Sequence, residues 1–208
     1  VTGCYAQVEP EEVSAMPEVD IVIGNGNKAK ICELVLERLA DRESGKQIDS
    51  RVLVKPRAEL TEYEDMGMVV SGEPGMTRAY IKIQEGCDRW CTYCIIPSVR
   101  GPIRSRPLDE IRAEAESLAE AGFKEAVLTG IHLTSYGRDL ADKPTLADAI
   151  HAVCECEGVR RVRLGSLEPI VANDTFVASV GQLEQLCPQF HLALQSGSDA
   201  VLRRMKRR

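Results

Sequence analysis

The stretch Gly86-Cys87-Asp88-Arg89-Trp90-Cys91-Thr92-Tyr93-Cys94 places three cysteines in the spacing C-x3-C-x2-C. Three thiolates this close in sequence can ligate three irons of one cubic cluster, because soft sulfur ligands favour iron–sulfur clusters. Such clusters are usually held by four cysteines, but the next cysteine along this chain is Cys154. One iron is therefore left open to a small molecule. The alternatives are a structural zinc site, which needs a fourth Cys or His at short spacing, and a reduced surface loop.

The cysteine loop follows an apolar stretch and opens a regular alternation of strands and helices. We predict strands at residues 79–83, 126–128, 162–164 and 191–194. We predict helices at residues 109–121, 145–154 and 174–186, and a further helix that is capped by Asp199. Alternating strands and helices form a parallel sheet, and the functional loops of such folds lie at the C-terminal ends of the strands. The sequence therefore predicts an α/β fold with the cysteine loop at its functional edge.

Residues 1 to about 40 are predicted to form a smaller α/β piece. A helix begins at Pro10, a buried strand spans residues 20–24, and a second helix follows Asn27, its predicted cap, as far as about Leu39. Cys32 on that helix is expected to be a buried, inert thiol. Residues 41–75 are charged and broken by Gly and Pro, so we interpret them as a linker that includes a short strand at 52–54.

The composition is that of an ordinary globular protein, with 28% charged and 44% hydrophobic residues, and 208 residues can hold one or two domains. No apolar run is long enough for a transmembrane helix and no signal peptide is visible, so no membrane partner is expected. The cysteine spacing in a strand–helix setting favours metal in a reducing compartment, hence the cytoplasm. A net charge of −6 excludes a broadly basic nucleic-acid-binding surface. Because the chain begins with Val1 rather than Met, we expect a piece of a longer protein.

The cysteine spacing, the preceding strand and the aromatic Tyr93 before the last cysteine resemble the radical S-adenosylmethionine (radical SAM) enzymes. The resemblance implies a [4Fe–4S] cluster on Cys87, Cys91 and Cys94, whose open iron chelates the amino and carboxylate groups of S-adenosylmethionine (AdoMet). Reduction of the cluster then yields a 5′-deoxyadenosyl radical. It also implies a partial (β/α) barrel that usually has six units, of which about four are present here.

Four further segments, at residues 1–7, 24–30, 80–87 and 95–106, resemble the methylthiotransferase branch of these enzymes. In that branch an N-terminal domain holds a second [4Fe–4S] cluster through three cysteines. Cys4, in the pattern T-G-C-x-A, matches the third of them, and the first two would precede Val1. Taken alone, Cys4 could equally be an ordinary buried thiol. The resemblance implies two domains: residues 1–70, the C-terminal part of the N-terminal domain with the linker, and residues 71–208, a truncated radical SAM core.

Three subgroups of that branch modify different substrates. The segments at 128–132, 136–137 and 163–169 look most like the subgroup that modifies N6-threonylcarbamoyladenosine next to the anticodon of tRNA. The alternatives are isopentenyladenosine in tRNA, an aspartate of a ribosomal protein, and a non-catalytic cluster-binding fragment. The resemblance implies two AdoMet molecules per product, one as methyl donor and one as the source of the radical that removes hydrogen from C2 of the base. The implied partners are tRNA and an electron donor such as a flavodoxin or ferredoxin.

The expected AdoMet contacts lie in the cysteine loop and at the ends of the predicted strands. No catalytic acid–base residue is expected, because an aromatic C–H has no acidic proton for a side chain to remove. Gly130 can instead be a simple turn residue, His132 a solvated histidine and Glu168 a carboxylate near a helix start. The expected cofactor-binding residues are Tyr93, Gly130, His132, Ser166, Glu168, Gln195 and Ser196.

Two basic segments have alternative interpretations. Arg100, Arg104 and Arg106 can contact tRNA phosphates or form ion pairs with acids such as Glu110. The basic end at 203–208 can be a nucleic-acid tail or part of an amphipathic helix. The remaining cysteines of the core, Cys154, Cys156 and Cys187, are expected to be packing residues.

Overall fold

The computed structural model describes residues 1–46, 49–64 and 77–207. The chain divides into two compact units. The N-terminal unit lies within Val1–Gly67 together with Ile95–Pro102, and the core unit within Met68–Cys94 together with Ile103–Arg208. The predicted domain boundary between residues 70 and 71 falls outside the described residues. Among the described residues, no helix has the length and hydropathy that a membrane span requires.

The N-terminal unit is built on two short parallel strands, with Ile21 paired to Arg51 and Ile23 to Leu53. Its small apolar core joins Ala6, Val13 and Val22. The regular elements are α1 (Cys4–Val8), α2 (Pro10–Ser14), β1 (Ile21–Ile23), α3 (Ile31–Glu43), β2 (Arg51–Leu53) and α4 (Ile96–Arg100). Because β2 belongs to this sheet, residues 51–53 are part of the unit and not of a linker.

Helix α3 differs from the prediction at its start and in its buried face. Asn27 makes no capping bond through its side chain, and a 3-10 turn at Lys28–Lys30 precedes α3. Cys32 is exposed, so the prediction of a buried thiol is wrong. The apolar pattern of the helix predicts that Ile31, Leu34, Val35 and Leu39 share one face, but of these four only Leu34 is buried. The reason is the small sheet, since strands of three residues can cover only a narrow stripe of a helix.

The core unit contains an open, curled four-stranded sheet with the order β4-β3-β5-β6, a half-barrel that confirms the predicted α/β class. Strands β3, β5 and β6 are parallel, and β4 pairs antiparallel with β3. The elements are β3 (Arg78–Glu85), β4 (Arg104–Ser105), α5 (Leu108–Glu120), β5 (Glu125–Gly130), α6 (Leu146–Cys154), β6 (Arg161–Leu164), α7 (Asp174–Val180) and α8 (Asp199–Arg204).

Along the first part of β3, side chains alternate between exposed and buried, and at its end they are all buried. Ile81 and Ile83 are fully buried, whereas Tyr80, which directly precedes Ile81, is 57% exposed. Ile111 of α5 and Ile150 of α6 are fully buried in the same apolar cluster as the isoleucines of β3. Burying such side chains contributes roughly 1.5–3 kcal/mol each. The core thus holds the ends of β3 and β5 in fixed positions for the loops that follow.

Three predictions in the C-terminal half are wrong in detail. Residues 191–194 form no regular strand; a single parallel bridge joins Leu192 to Leu167. Helix α7 ends at Val180, because Gly181 follows and the chain then turns so that Leu186 can bridge to Val162. Asp199 is the first residue of α8 and not its cap, which is Ser198.

Candidate functional site

The cysteine loop begins where β3 ends, at the C-terminal edge of the sheet. The side chain of Gln84 is fully buried, and its Nε2 donates to the carbonyl oxygens of Glu85 (2.7 Å) and Gly86 (2.8 Å). Gly86 has φ 73°, a left-handed conformation that suits glycine. The buried amide thus fixes the backbone directly before Cys87.

The loop itself is tightly folded and connected to α8. The N–H of Cys94 donates to the carbonyl of Cys91 (2.9 Å), and the N–H of Thr92 donates to the carbonyl of Met205 (3.2 Å). Trp90 has φ 48°, which is uncommon for a residue other than glycine. The loop therefore has a defined shape, and the end of α8 lies against it.

The three thiols of the loop lie close enough to influence one another. Cys87 and Cys91 are buried and Cys94 is half-buried. Burial raises the pKa of the Cys87 thiol, and the charges of Cys91 and Cys94 raise it further. In the part of the chain that the structure describes, no three His, Cys, Asp or Glu side chains surround a single metal ion. A single tetrahedral zinc ion would need all its thiolates at about 2.3 Å from one centre. In an iron–sulfur cube each iron binds its own thiolate, so the arrangement of the three thiols fits a cluster better than a zinc ion.

Glu168, in the loop after β6, lies within ion-pair distance of two arginines and one histidine. Its Oε2 lies 2.8 Å from Arg89 Nη2 and 2.9 Å from His132 Nε2, and its Oε1 lies 3.3 Å from Arg207 Nη2. Burial opposes ionisation, but the hydrogen bond from His132 and the charges of the three cations lower the pKa of Glu168 below its usual value. The carboxylate is therefore a fixed anion. It also directly precedes the 3-10 helix Pro169–Val171, as the alternative of a carboxylate near a helix start predicted.

Arg207 links this carboxylate to the cysteine loop. Its Nη1 lies 3.8 Å from Cys91 Sγ and 3.4 Å from the hydroxyl of Tyr93, and its Nη2 donates to the carbonyl of Ala193 (3.1 Å). Arg89, within the loop, has a buried Nε without a hydrogen-bond partner among the described residues. The structure thus adds two arginines to the predicted site residues.

His132 is held from both sides of its ring. Its Nδ1 lies 2.6 Å from Ser135 Oγ, opposite the contact of Nε2 with Glu168, and its backbone N–H donates to Gln84 Oε1 (2.6 Å). Gly130, two residues earlier at the end of β5, packs so closely on Gln84 and Leu133 that a Cβ would lie 3.0 Å from both. His132 is therefore an ordered member of the site and not a solvated loop histidine.

The remaining predicted contacts lie outside this network. Ser166 is exposed, and its Oγ lies 2.7 Å from His191 Nδ1. Gln195 is exposed with φ 65°, and Ser196 Oγ accepts from the N–H of Ser198 (3.1 Å). The structure thus brings together Tyr93, His132 and Glu168 and shows no bond between them and these three residues.

Cys4 lies in the N-terminal unit beside an arginine. Its Sγ accepts from Arg100 Nε at 3.0 Å and lies 3.9 Å from Asn25 Nδ2, which also donates to the carbonyl of Val99 (2.8 Å). Arg100 therefore points to a thiol of its own unit.

Arg104 and Arg106 are buried in the core unit, with exposures of only 3% and 7%. Arg106 forms ion pairs with Glu110 (3.3 Å) and Glu114. Arginine side chains that are buried to this extent cannot reach a phosphate backbone. The tRNA interpretation of both arginines is wrong, and for Arg106 the alternative of an ion pair with Glu110 is confirmed.

Comparison with known proteins identifies the family. Residues 81–208 match the model of the Radical SAM superfamily. The chain belongs to the radical SAM superfamily. The cofactors of this family are AdoMet and a [4Fe–4S] cluster. Among the described residues, the three thiols at the end of β3 are the donor set that a cluster with one open iron needs.

The sequence relatives of this radical SAM protein extend over its whole length. It is 38% identical over 208 residues to the threonylcarbamoyladenosine tRNA methylthiotransferase MtaB of Bacillus subtilis, covering 100% of this chain and 44% of that protein. It is 35% identical over 209 residues to the ribosomal protein uS12 methylthiotransferase RimO of Geobacter sulfurreducens, of which it covers 45%. The chain thus spans slightly less than half the length of these relatives.

A solved structure supports the radical SAM fold. The methyltransferase TsrM of Kitasatospora setae, determined with tryptophan and a SAM analogue, superposes with a TM-score of 0.55 at 18% identity. The match covers 86% of this chain and 38% of that one. At this level of identity the similarity concerns the fold alone.

Proposed function

We propose that the protein is a methylthiotransferase that adds a methylthio group to C2 of N6-threonylcarbamoyladenosine next to the anticodon of tRNA. The observation that carries this proposal is the similarity, at 36–39% identity over 99–100% of the chain, to four proteins named as threonylcarbamoyladenosine tRNA methylthiotransferases. The proposed substrate places the reaction in the cytoplasm, with a flavodoxin or ferredoxin as the electron donor.

The site residues have complementary roles in this proposal. Cys87, Cys91 and Cys94 would hold the iron–sulfur cluster that binds AdoMet. The amino acid part of AdoMet carries an amino group and a carboxylate. Glu168 would accept a hydrogen bond from the amino group, and the arginines at 89 and 207 would donate to the carboxylate. Arginine suits the carboxylate because its planar guanidinium can donate two parallel hydrogen bonds.

The protein positions and shields the chemistry that its cofactors supply. When bound, the cluster and AdoMet provide the one-electron chemistry that removes hydrogen from an aromatic carbon. His132, locked by Ser135 and Gln84, keeps the Glu168 carboxylate in one orientation. Tyr93 lies beside Arg207 at the loop. Cys4 would be the third ligand of a second cluster, and Arg100 would orient its sulfur.

The test is anaerobic iron–sulfur reconstitution of the full-length protein, followed by reduction with dithionite in the presence of AdoMet and a stem-loop RNA that carries the threonylcarbamoyl base. The expected result is 5′-deoxyadenosine together with an RNA product heavier by one methylthio group. The variant Cys91→Ala should take up less iron and give neither product. Deoxyadenosine without any modified RNA would contradict the substrate, and a reconstituted cluster without deoxyadenosine would contradict the activity.

A second candidate substrate is an aspartate of ribosomal protein uS12. Four relatives at 35–37% identity over the whole chain are named as methylthiotransferases of that protein. The same assay with a uS12 peptide, and with a stem-loop that carries isopentenyladenosine, compares the three subgroups directly. Product on the peptide or on the isopentenyl loop alone would replace the threonylcarbamoyl substrate.

A further inference from the structure

An open pocket of about 670 Å³ lies between the loop after β5 and the loop after β6. Both loops leave the C-terminal ends of parallel strands, the edge at which the cysteine loop also lies. The volume is in the range of pockets that take small organic groups, about 300–1,000 Å³. The pocket is therefore a candidate site for a part of the substrate.

The pocket is next to the Glu168 site. Thr134, on its wall, accepts a hydrogen bond through Oγ1 from the backbone N–H of Glu168 (3.3 Å). Ile170 and Val171, also on the wall, belong to the turn that directly follows Glu168. A group in the pocket and a molecule bound at Glu168 would thus share one wall.

The charge of the lining is unusual for this chain, which has 32 acidic and 26 basic residues. Arg138 and Lys143 line the pocket, and among its described lining residues there is no Asp or Glu. Both side chains are exposed, and neither forms an ion pair with a described residue. The lining therefore attracts a negatively charged group.

The loop that carries both cations is held in a fixed shape. Gly137, with φ 79°, lies so close to Pro144 that a Cβ would overlap the carbonyl oxygen of Pro144. Asp139 accepts from the N–H (2.8 Å) and the hydroxyl (2.6 Å) of Ser105 on β4. Between these two anchors the cations are presented in a defined arrangement, as a specific site requires.

We infer that this pocket binds the carboxylate of the threonylcarbamoyl group of the substrate, with Arg138 and Lys143 as its cationic contacts. The inference rests on the proposed function. The threonylcarbamoyl group is small, with a carboxylate, a hydroxyl and a methyl group, and the pocket offers cations, the hydroxyls of Thr134 and Thr175, and the apolar surface of Val171. An isopentenyl group has no charge with which to satisfy the two cations.

The test measures the affinity of three anticodon stem-loops for the reconstituted protein by fluorescence anisotropy. The loops differ only in the base next to the anticodon: adenosine, N6-threonylcarbamoyladenosine or isopentenyladenosine. The variants Arg138→Gln and Lys143→Gln, singly and combined, keep a polar, unbranched side chain while removing its charge. The matched control is Lys124→Gln, an exposed lysine that directly precedes β5 and so lies at the opposite end of that strand.

We expect the wild-type protein to bind the threonylcarbamoyl loop more tightly than the adenosine loop. The combined variant should lose at least fivefold of that preference, while its affinity for the adenosine loop and that of Lys124→Gln stay unchanged. Retention of the preference in the combined variant would overturn the inference. An equal loss of affinity for all three loops would assign the two cations to phosphate contacts and overturn it as well.

The same measurement separates the failure of the inference from that of the proposed function. If the wild-type protein prefers the isopentenyl loop or binds all three loops equally, the substrate assignment fails and the inference fails with it. If it prefers and methylthiolates the threonylcarbamoyl loop but the variants behave like Lys124→Gln, the inference alone fails.

Discussion

The carboxylate of Glu168 contacts side chains from three distant parts of the sequence, and these contacts explain why it is ionised. Arg89 comes from the cysteine loop, His132 from the loop after β5 and Arg207 from the residues after α8. The side chains of Glu168, His132 and Arg207 are only 10–12% exposed, so each charge depends on the others for compensation. A single carboxylate therefore fixes three loops at one edge of the sheet.

The substitution Glu168→Gln should destabilise the protein by about 2 kcal/mol near neutral pH, because it leaves buried cations without their anion. The pKa of Glu168 is lowered in the folded state, so its charge stabilises the fold above the ordinary glutamate value of about 4.3. That stabilisation is lost as the pH falls through the lowered pKa. Chemical denaturation from pH 7 to pH 3 should therefore show the difference between wild type and variant closing in acid.

The matched control for this measurement is Glu120→Gln, an exposed carboxylate at the end of α5. Its effect should remain within about 0.5 kcal/mol, as is usual for surface substitutions. If Glu168→Gln behaves like this control at every pH, the three ion pairs do not stabilise the fold.

Some residues of the Glu168 site could be predicted from the sequence, and others could not. Tyr93, His132 and Glu168 follow predicted strands, so their positions were accessible from periodicity and chain order. Arg207 stands in a basic segment whose composition resembles any solvent-exposed tail. Its role depends on the contact between Thr92 and Met205, which joins residues more than a hundred positions apart and leaves no local pattern.

Elements with a full period of apolar residues were predictable, and shorter ones were not. Strand β3 alternates and α5 has a buried face, so both appear within a few residues of their predicted bounds. Strand β4 has only two residues, which is too short for any periodicity. Residues 191–194 read as a strand because they are apolar, yet only Leu192 pairs, and Leu194 is 59% exposed.

Helix α6 owes its start to a reciprocal capping box. The side chain of Thr145 accepts from the N–H of Asp148 (3.3 Å), and Asp148 Oδ2 accepts from the N–H (2.6 Å) and hydroxyl (2.7 Å) of Thr145. Two otherwise unpaired donors at the start of the helix are satisfied in this way. The cap therefore fixes both the helix and the adjoining wall of the pocket.

The substitution Thr145→Ala should cost about 1 kcal/mol of stability at neutral pH, the usual value for a lost cap. The hydrogen bonds from the backbone and side chain of Thr145 lower the pKa of Asp148, so their stabilisation is present above the ordinary aspartate value of about 3.9. It is lost as the pH falls through the lowered pKa, so the cost of the substitution should shrink in acid. Thermal unfolding between pH 3 and pH 7 measures both effects.

The control for the cap is Thr175→Ala, which removes the same atoms from an exposed position of α7. A neutral or slightly stabilising effect is expected, since alanine has the higher helix propensity. Equal losses for the two substitutions would mean that the capping box adds nothing to the stability of α6.

Across the whole molecule, the eight cysteines occupy environments of very different reactivity. Cys32 is exposed, whereas Cys154, Cys156 and Cys187 are buried, as predicted for packing residues. Burial, with the charges of Cys156, Glu155 and Cys187, raises the pKa of the Cys154 thiol to about 11. At pH 8 roughly one Cys154 thiol in a thousand is then the reactive thiolate.

Alkylation of the native, cluster-free protein with iodoacetamide should therefore modify Cys32 first and Cys154 at least ~100-fold more slowly, as the thiolate is the nucleophile. Peptide mass spectrometry at timed intervals gives the rate for each residue. In denaturant the rates should converge, because burial is removed. Equal rates for Cys32 and Cys154 in the native protein would contradict the buried environment of Cys154.

The path of the chain has a consequence for the modularity of the protein. The backbone leaves the core unit after Cys94, contributes α4 to the N-terminal unit, and returns at Ile103. Within the N-terminal unit, Pro97 and Val99 are buried, and the carbonyl of Pro97 accepts from Arg57 (2.8 Å). Cutting the chain once between the units cannot give two intact halves, because α4 would remain attached to the wrong one. In a gene fusion or a recombination event the two units must therefore be inherited together, which ties the segment around Cys4 to the loop of Cys87, Cys91 and Cys94.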